Sequence, residues 1–481
     1  MKIGLEIHGY IPTKEKLFCE CKAIHGAKVS KPNSNICPIC SGQPGSKPML
    51  PNAEAINKIL QVALILNCKI NGVTSVEVQK GSHPSALRGE SARETGGALA
   101  WQRKHYDWPD LPKGFQTTIS GTYAIPVGEK GRFLDINIKQ VHLEEDPAAW
   151  NPESGEIDYN RSGIPLVEIV TEPDFKSSEQ VIEWIKQLLL TLNYIKAIDK
   201  DLGLKADVNI SFPEIKGERV EIKNVNSLEN IQKAIEYEQK RQLQNGEKAK
   251  EQETRRFDSK KGITVKMRSK ESGADYRFIS EPDLPTLKIS KERISKLEKT
   301  LPETPQNKLK RIIKAYKIDS KSAEVLTKNL EIIDFFEHVV SSGKVKVSLA
   351  LPWVTVELLR VLNYNKKNLD EVNIEASQFA KLLRLVEEKK ITELKAKEIL
   401  NKFVPHSFDP EKEAKSQSVI SDSDEITKLA KQVIKENSKA VEDYKSGKQE
   451  TINFLIGQLM KISNKRADYK TAKTVLERLL K

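Results

Sequence analysis

Alternating apolar and polar residues mark a series of strands in the first part of the chain. From Leu134 to Ile138 every second residue is apolar, and the residues between them are polar. Side chains two apart on a strand point to the same face, so the pattern predicts a half-buried strand with one polar, open face. The phase slips by one residue at Gln140, which predicts a β-bulge and brings His142 and Glu144 onto the open face.

Four further segments repeat this alternation and carry charged or polar side chains on one face. These side chains are Glu6 and His8; Glu168; Asp207, Asn209 and Ser211; and Glu221 and Lys223. If the five strands share one sheet, they form an acidic, concave floor. Clustered carboxylates repel one another unless a cation lies among them, and oxygen ligands with one histidine suit Mg²⁺, which often holds substrate phosphates. A solvated sheet face is the alternative interpretation.

Helical spacing of apolar residues is sparse before residue 290 and nearly continuous after it. The early helices are predicted at 52–68, 177–193 and 227–244, and the later ones at 308–316, 322–340, 353–362, 376–388, 391–403, 425–436, 438–446, 449–462 and 469–480. A polar linker is predicted at 405–413 and a surface loop at 81–97. The predicted fold class is α+β, with a strand-rich domain at 1–289, an all-helical domain at 290–405 and a small helical tail domain at 406–481.

The charge of the chain indicates a large anionic partner. Its 481 residues carry a net charge of +12, and lysine and arginine line the polar faces of the tail helices. Nucleic acid is the usual partner of such a surface, although a solvated basic face is the alternative. The N-terminus runs directly into a strand, and the longest apolar run, at 62–66, is too short to span a bilayer. A cytoplasmic protein without a membrane segment is therefore expected.

The cysteines form two close pairs. Cys19 and Cys21 are one residue apart, and Cys37 and Cys40 form a C-x-x-C. Two thiol pairs of this spacing in a reducing compartment predict a tetrahedral, structural zinc site in a loop at 17–42. Cys68 ends a predicted amphipathic helix and is interpreted as a small buried hydrophobe.

Several chemistries are excluded by the sequence. No G-x-x-x-x-G-K-[ST] motif is present, so a bound nucleotide must be held by Mg²⁺ and by side-chain cations. Lys266, Arg268, Lys270 and Arg277 are candidates for phosphate binding, with surface salt bridges as the alternative. Four cysteines are assigned to metal and no amidase-like Ser/Lys segment is present, so amide hydrolysis is not expected of this chain.

A series of ordered motifs resembles the B subunit of the tRNA-dependent amidotransferase, GatB, over nearly the whole chain. The motifs are GLEIH at 4–8, LFCEC at 17–21 with CPIC at 37–40, PDLPKGFQ at 109–116, HLEED at 142–146, DYNRSGIPL at 158–166, EIKNVNS at 221–227, MRSK at 267–270, DYR at 275–277, AVEDY at 440–444 and FLIGQLM at 454–460. The related E subunit carries a large inserted domain for which this chain has no room. About twenty residues more than the family usually has lie at 80–100.

The resemblance implies a fold and a reaction. It implies an antiparallel-sheet cradle related to the glutamine synthetase catalytic fold, followed by a helical domain and a small tail domain. ATP would phosphorylate the side-chain carboxylate of Glu-tRNA(Gln) or Asp-tRNA(Asn), and ammonia released from glutamine by an A subunit would displace the phosphate. A small C subunit would brace A against B in a heterotrimer.

The resemblance and the strand pattern together assign residues to these roles. Glu6 and His8, with Glu144 or Glu145, are expected to hold a catalytic Mg²⁺; strand parity favours Glu144, and the resemblance covers both. Asp207, Glu221 and Lys223 are expected near the nucleotide, with the cations around Met267. Mischarged tRNA is expected at a tail surface formed by Gly457, Gln458, Lys461, Lys465 and Arg466.

Two other function classes fit part of the pattern. A zinc-containing nucleic-acid-binding protein without enzymatic activity accounts for the charge and the cysteines but leaves the acidic strand faces without a role. A stand-alone ammonia-using synthetase of the glutamine synthetase type accounts for the acidic floor, and a tRNA requirement for ATP cleavage would reject it.

Overall fold

The strands and helices were located in a computed structural model of the chain. The structure describes residues 1–24, 31–74, 99–106, 108–120, 125–199, 204–215, 218–245, 252–269, 277–341, 344–415, 423–463 and 466–480. The chain divides into two compact units, Met1–Thr304 and Pro305–Lys481. The loop predicted at 81–97, and nearly all of the segment at 80–100 that was expected to be longer than in the family, lie outside the described residues.

The first unit contains the strands. They are β1 (Lys2–Tyr10), β2 (Lys69–Ile70), β3 (Val73–Thr74), β4 (Gln102–His105), β5 (Gln116–Thr118), β6 (Gly128–Phe133), β7 (Ile136–Glu145), β8 (Ala149–Trp150), β9 (Ile157–Asp158), β10 (Pro165–Thr171), β11 (Leu204–Ser211), β12 (Val220–Val225), β13 (Glu253–Asp258), β14 (Ile263–Ser269), β15 (Arg277–Ser280) and β16 (Ile289–Ser290). Its helices are α1 (Ala53–Ile65), α2 (Ser178–Tyr194), α3 (Leu228–Asn245) and α4 (Lys291–Thr300).

Twelve of these strands form one sheet. Its order is β14-β13-β12-β11-β1-β10-β7-β5-β4-β15, and β6 pairs with both β7 and β2. The sheet is mixed, because β12 and β13 pair in parallel while its other pairs are antiparallel. This corrects the expectation of a purely antiparallel sheet. Helix α3 connects β12 to β13 and returns the chain to the same end, as a parallel pair requires.

One face of the sheet is closed by helices, and the other is left for polar side chains. Ile3, Leu5 and Ile7 of β1 are at most 1 % exposed and belong to a single apolar cluster with residues of α1, α2 and α3. Trp184 of α2 stacks edge-on against Phe133 and donates its indole N–H to the Phe133 carbonyl over 3.0 Å. Because this face takes the apolar half of each alternating strand, the acidic half points to the other side.

The strand predicted from Leu134 begins two residues later, at Ile136. Leu134 lies in the two-residue turn between β6 and β7, with φ of +55°, and is 46 % exposed, so it is not an inward-facing strand residue. Sequence reasoning missed β6, whose pairing with β7 creates this hairpin. The predicted bulge is present: Val170 and Thr171 of β10 face Gln140 and Ile138, which leaves Lys139 as the extra residue.

The second unit is helical. Its helices are α5 (Pro305–Tyr316), α6 (Ser320–Thr327), α7 (Leu330–Ser341), α8 (Val347–Pro352), α9 (Leu359–Tyr364), α10 (Ala376–Glu387), α11 (Glu393–Asn401), α12 (Pro410–Lys415), α13 (Ser423–Glu436), α14 (Ser438–Lys445), α15 (Thr451–Ile462) and α16 (Tyr469–Leu480); a π-helical stretch at Trp353–Leu358 joins α8 to α9. Two separate apolar clusters stabilise it, one formed between Ile312 and Ala414 and one between Ile426 and Leu480.

The helix prediction at 322–340 needs correction. The structure contains two helices there, α6 and α7, because Asn329 interrupts the run and its side chain accepts a hydrogen bond from the amide of Glu331 over 2.9 Å. No helix among the described residues combines the length and the apolar character needed to cross a bilayer.

Candidate active site

The five strands predicted to carry the acidic floor lie side by side, in the order β12-β11-β1-β10-β7. In the register of the sheet, His8 is opposite Glu168 on β10, and Glu168 is opposite His142 on β7. On the other side of β1, Glu6 is opposite Asp207. Directly opposed residues project to the same face, so the floor is formed by strands that are distant in sequence.

Glu6, His8 and Glu168 form the tightest group on this floor. One ligand atom from each lies within 4.8 Å of the others, and Nε2 of His8 is 3.9 Å from Oε1 of Glu6. Octahedral Mg²⁺, with bonds of about 2.1 Å, separates its ligands by about 3.0–4.2 Å, so a small closure of these side chains would accommodate the ion. Glu168 was predicted to lie on the floor but not to be a ligand.

Glu144 lies beside this group in a set of hydrogen bonds. Thr118 Oγ1 donates to it over 3.0 Å and Gln116 Nε2 over 3.2 Å, while Lys104 Nζ is 3.7 Å away. Burial acts to raise the pKa of Glu144, but Lys104 and the two floor histidines outweigh it and lower the pKa to about 2.

Glu168 shows the opposite shift. Burial, and then the nearby carboxylates of Glu144 and Glu6, raise the pKa of Glu168 well above its usual range. Two buried carboxyls that lie close together titrate in opposite directions because one proton relieves their repulsion. A cation at this place would relieve it as well, which is the electrostatic property expected of a metal site.

Glu145 does not reach the floor. It follows Glu144 on β7 and therefore points to the other side of the sheet, where its carboxylate contacts Lys113 Nζ and accepts a hydrogen bond from the amide of Thr117 over 2.8 Å. Of the two alternatives for a magnesium ligand, only Glu144 therefore lies on the floor, because successive residues of a strand point to opposite faces.

A cleft of about 280 Å³ opens over the floor. Glu6, His8, Glu144 and Asp207 line it, together with Lys104, Lys205 and Lys223. Lys223 is 2.9 Å from Asp207 and 2.8 Å from Glu221, and although burial opposes it, these carboxylates raise the pKa of Lys223, which therefore stays charged. Cations and carboxylates that alternate in one cleft can bind an anionic ligand together with a metal ion.

The other end of the cleft is formed by a second polar network. The hydroxyl of Tyr10 donates to Asp146 over 2.8 Å, and Arg161 Nε is 3.5 Å from the same carboxylate. Burial raises the pKa of Asp146, and Arg161 opposes that shift. Arg161 is fixed by donating to the carbonyls of Pro147 and Ala148.

The cations predicted around Met267 have different positions. Lys266 forms an ion pair with Glu253 over 3.2 Å. Its register partner is Arg255, so it lies on the face opposite to Thr254, whose hydroxyl donates to the floor residue Glu221 over 3.3 Å. Arg277 is exposed on the edge strand β15, and its pairing with His105 places it on the face away from Lys104. The side chain of Arg268 and the whole of Lys270 lie outside the described residues.

Sequence reasoning missed Lys104, Lys205 and Arg161 as cleft residues. Lys205 could have been found, because it continues the alternation of Asp207 and Asn209 by two residues. Lys104 lies on the short strand β4, which has no alternating pattern, and reaches the floor only through the pairing of β4 with β5. Arg161 lies in an irregular segment, where periodicity gives no orientation.

The four paired cysteines converge on one point. One sulfur from each of Cys19, Cys21, Cys37 and Cys40 lies within 4.8 Å of the others. Cys40 Sγ is 4.0 Å from Cys21 Sγ and 3.9 Å from Cys37 Sγ. Zinc–sulfur bonds of about 2.3 Å in a tetrahedron give sulfur separations of about 3.8 Å, so these positions fit a structural zinc ion.

The thiols of this cluster already depart from ordinary cysteine chemistry. The hydrogen bond from Cys19, aided by the Cys37 amide and the ammonium of Lys16, lowers the pKa of Cys40 to about 4. Burial raises the pKa of Cys21 to about 11. Cys68, by contrast, is isolated beneath Gly128 and Gly131, and burial raises its pKa to about 12, as expected of an inert thiol.

The predicted tail surface lies partly on α15. Phe454, Gly457 and Lys461 are exposed and follow one another at spacings of three and four residues, which places them on one stripe of the helix. Gln458 and Arg466 are half-buried, and Lys465 lies outside the described residues.

Comparison with known families gives two matches along the chain. A profile described as the GatB/GatE catalytic domain matches residues 1–89 and 92–295, and one described as the GatB domain matches residues 334–480.

Similar proteins are found in methanogenic archaea. The B subunit of an aspartyl/glutamyl-tRNA(Asn/Gln) amidotransferase from Methanocaldococcus jannaschii is 41 % identical over 492 residues, covering 100 % of this chain and 98 % of that protein. Proteins of the same name from Methanococcus maripaludis and Methanothermobacter thermautotrophicus are 41 % and 39 % identical, covering 99 % and 100 % of this chain and 98 % and 100 % of their own lengths.

Proposed function

Because the chain belongs to the family of B subunits of the aspartyl/glutamyl-tRNA(Asn/Gln) amidotransferase, we propose that its cleft activates the substrate carboxylate. Enzymes of this family are carbon–nitrogen ligases that act in tRNA-dependent amidation, with glutamine as the amide donor. In this proposal ATP phosphorylates the side-chain carboxylate of Glu-tRNA(Gln), Asp-tRNA(Asn) or both. Ammonia then attacks the acyl phosphate, phosphate leaves, and the amide forms.

The grouping of Glu6, His8 and Glu168 carries this proposal, together with the cleft that Glu6 and His8 line beside three lysines. These three side chains would hold Mg²⁺, with Glu144 beside them. When bound, Mg²⁺ would offset the charge that develops on the phosphate oxygens of ATP.

The residues of the chain itself would supply the rest of the phosphate site. Lys104, Lys205 and Lys223 would take the place of a P-loop by pairing with phosphate oxygens along the cleft. Thr118, Ser120 and Gln116 hold the Glu144 carboxylate by hydrogen bonds, so that it stays ionised near the metal. Lys266 and Arg277 face away from the cleft, whereas phosphate binding by Arg268 and Lys270 stays a prediction. Glu221 would act through Lys223.

The fold and the partners of the protein form a second part of the proposal. We infer that the cradle at 1–289 is related to the glutamine synthetase catalytic fold. A helical domain at 290–405 and a tail at 406–481 are proposed; the two separate apolar clusters of the second unit support such a division, although α4 belongs to the first unit. An amidase A subunit would supply ammonia, and a small C subunit would complete the heterotrimer.

Zinc at the four cysteines is proposed as a structural ion, since four thiolates leave no open ligand position. Thiols that bind metal need a reducing compartment, which supports a cytoplasmic location. The tail would bind mischarged tRNA through the stripe of α15 with Gly457 and Lys461, extended by Gln458, Lys465 and Arg466.

Two variants of the metal group test the proposal. Glu6→Gln keeps the shape of the side chain but removes a charged ligand, and His8→Ala removes the nitrogen ligand. In the heterotrimer, each is expected to reduce ATP-dependent phosphorylation of the aminoacyl group by at least 100-fold, because the metal site is incomplete. Binding of tRNA and glutamine hydrolysis by the A subunit should remain within about twofold.

Glu129→Gln is the matched control, since Glu129 is a half-exposed strand residue that pairs with Lys69 outside the cleft. It should leave all three measurements unchanged. Near-normal amide formation by both Glu6→Gln and His8→Ala would contradict the assignment of this cleft. ATP cleavage without tRNA would favour the stand-alone synthetase, and assays with both charged tRNAs would decide the substrate.

A further inference from the structure

The segment at 157–163 and the cysteine loop are joined by a set of hydrogen bonds. We call 157–163 the cleft segment, and 16–24 with 31–43 the cysteine knuckle. Side chains of the knuckle and of the cleft segment bond to each other's backbones in both directions: Asn33 N to Asp158 Oδ1 (2.9 Å), Tyr159 N to Asn33 Oδ1 (2.7 Å), Asn35 N to Asn160 Oδ1 (2.8 Å), Asn160 Nδ2 to Lys31 O (2.8 Å), and Ser162 Oγ to Cys40 O (2.8 Å).

Lys16 lies at the centre of this interface. It is 1 % exposed, and its ammonium donates to Cys40 Sγ over 3.4 Å, to the carbonyl of Asn35 over 3.1 Å and to the carbonyl of Tyr159 over 3.4 Å. A lysine is almost never buried to this degree without a countercharge. A metal-bound cysteine is a thiolate, so Cys40 supplies that charge when the centre is loaded.

The cleft segment carries Arg161 into the proposed active site. Its two neighbours, Asn160 and Ser162, bond to the knuckle, while Arg161 itself points the other way and lines the cleft beside Asp146. The amide of Leu17, next to Lys16, also donates to the carbonyl of Gly163 over 2.7 Å. The residues on both sides of Arg161 in the chain are therefore held by the knuckle.

We propose that Lys16 is a positioning residue that couples the cysteine centre to the active-site cleft. Its ammonium joins the Cys40 sulfur to the backbone of Tyr159, so that the charge of the metal–thiolate centre holds the cleft segment and orients Arg161 towards Asp146. That this cleft is the active site rests on the proposed function; the mechanical coupling does not.

A coupled and an uncoupled knuckle respond differently to loss of the metal. In a knuckle that only closes its own loop, loss of the metal disorders the loop and leaves the cleft segment as it was. In a coupled knuckle, loss of the metal or of the Lys16 charge releases the same stretch of the cleft segment, and the two losses are not additive.

The test uses the heterotrimer with Lys16→Met, which keeps the length of the side chain and removes its charge, and with Lys16→Arg, which restores the charge. Lys14→Met is the matched control, because Lys14 is exposed on the same loop. Zinc is first counted by elemental analysis. Its release to a chromogenic chelator and the hydrogen exchange of amides at 157–163 are then measured, and amide formation is resolved into kcat and KM.

Lys16→Met is expected to release zinc about tenfold faster or more, the usual effect of removing a residue that supports a metal ligand. Exchange at 157–163 should rise in this variant and in wild-type protein stripped of zinc, with little further rise when both changes are combined. Exchange in β1 and β10 should not change. Lys16→Arg should recover at least part of each effect, and kcat should fall more than tRNA affinity.

Unchanged exchange at 157–163 after loss of either the metal or the charge would overturn the coupling, even if zinc leaves faster. Should Lys16→Met fail to assemble, Ser162→Ala gives the milder test, since it removes only the hydrogen bond to the Cys40 carbonyl. It should raise exchange at 157–163, and no rise would count against the proposal. Exchange and zinc release do not depend on catalysis, so their failure is distinguishable from failure of the proposed function.

Discussion

At the scale of single residues, the space around a Cβ atom decides whether a glycine can be replaced. Gly42 and Gly45 both follow Cys40 closely and both have positive φ, +68° and +85°. A Cβ at Gly42 would lie 2.2 Å from the carbonyl oxygen of Pro112, whereas a Cβ at Gly45 would meet nothing within 4 Å. The backbone of the cysteine knuckle is thus packed directly on the PDLPKG segment at one of these glycines.

Gly42→Ala is expected to destabilise the first unit by about 2–5 kcal/mol, because a left-handed conformation costs about 1–2 kcal/mol and overpacking adds about 1–3 kcal/mol. Gly45→Ala incurs only the first of these costs, about 1–2 kcal/mol. Urea unfolding of both variants measures the difference. Equal losses of stability would show that the packing against Pro112 can relax freely.

Glu168→Gln should separate stability from activity. Burial and its acidic neighbours raise the pKa of Glu168, so folding favours its protonated form. The contribution of this carboxyl to the free energy of unfolding is fully present below the unfolded pKa of about 4.3, and it is lost as pH rises through the folded pKa. In buffer free of divalent cations, the amide should therefore stabilise the protein at pH 8 by about 0.5–2 kcal/mol, and the gain should vanish near pH 4.

The same Glu168→Gln variant should lose amide formation, because a proposed metal ligand is gone. Thermal unfolding at both pH values and an amidation assay are the measurements. A variant that is less stable than wild type at pH 8 would mean that Glu168 is already paired with a cation of the protein itself.

At the scale of elements, ion pairs connect α5 to α7, whose apolar faces alone do not fix one packing geometry. Lys308 of α5 is 6 % exposed and contacts Asp334 and Glu337 of α7. Arg311 on the same helix forms a bidentate pair with Glu337, over 2.6 and 3.0 Å. Because Lys308 is buried, loss of charge on one of these acids leaves the lysine less compensated. Acid pH removes that charge by protonation, so the contact between α5 and α7 depends on pH.

Glu337→Gln is expected to cost about 1 kcal/mol or less at pH 7, since Glu337 is partly exposed and solvent screens the pair. Its hydrogen bond with Arg311 lowers the pKa of Glu337, so this stabilisation is present above about pH 4.3, the unfolded value, and is lost as pH falls through the lower folded pKa. The difference from wild type in the midpoint of unfolding should therefore disappear in acid.

Glu324→Gln is the control for this pair. Glu324 is exposed on α6 and accepts a hydrogen bond from Ser320, which an amide oxygen can also accept. Its unfolding midpoint should follow wild type at every pH. A loss of stability in Glu337→Gln that does not depend on pH would indicate that Glu337 stabilises the helices by packing and not by its charge.

At the scale of the whole molecule, the net charge of +12 can attract tRNA generally or through a defined surface. Charge reversal of Lys461, Lys465 and Arg466 should weaken tRNA binding and reduce the salt dependence by about 0.7–0.9 for each phosphate group that the protein no longer neutralises. Binding is measured across a salt series, and glutamine hydrolysis by the A subunit should be unaffected.

The matched control reverses Lys428, Lys431 and Lys435, three exposed cations on α13 of the same tail. Both triple variants have the same net charge, so a surface at the end of α15 predicts a larger effect of the first. Equal effects would mean that only the overall charge of the tail is used.

The sequence by itself determined the face of each floor strand and the residue types of the candidate sites. A period of two fixes the face of a strand residue locally, which is why the alternation found Glu6, His8, Glu144, Glu168 and Asp207, and why parity alone separated Glu144 from Glu145. The close spacing of the cysteines likewise predicted a cluster that the fold brings together. The motifs named the family because their order along the chain is itself a sequence property.

Only the tertiary structure decided which of these residues meet. Glu168 joins Glu6 and His8 because β10 pairs with β1, and Lys104 reaches the floor because β4 pairs with β5. Register between distant strands depends on the packing of the whole core, and no local pattern encodes it. For the same reason local alternation could not orient Lys266, which a parallel pair and a bulge turn to the other face.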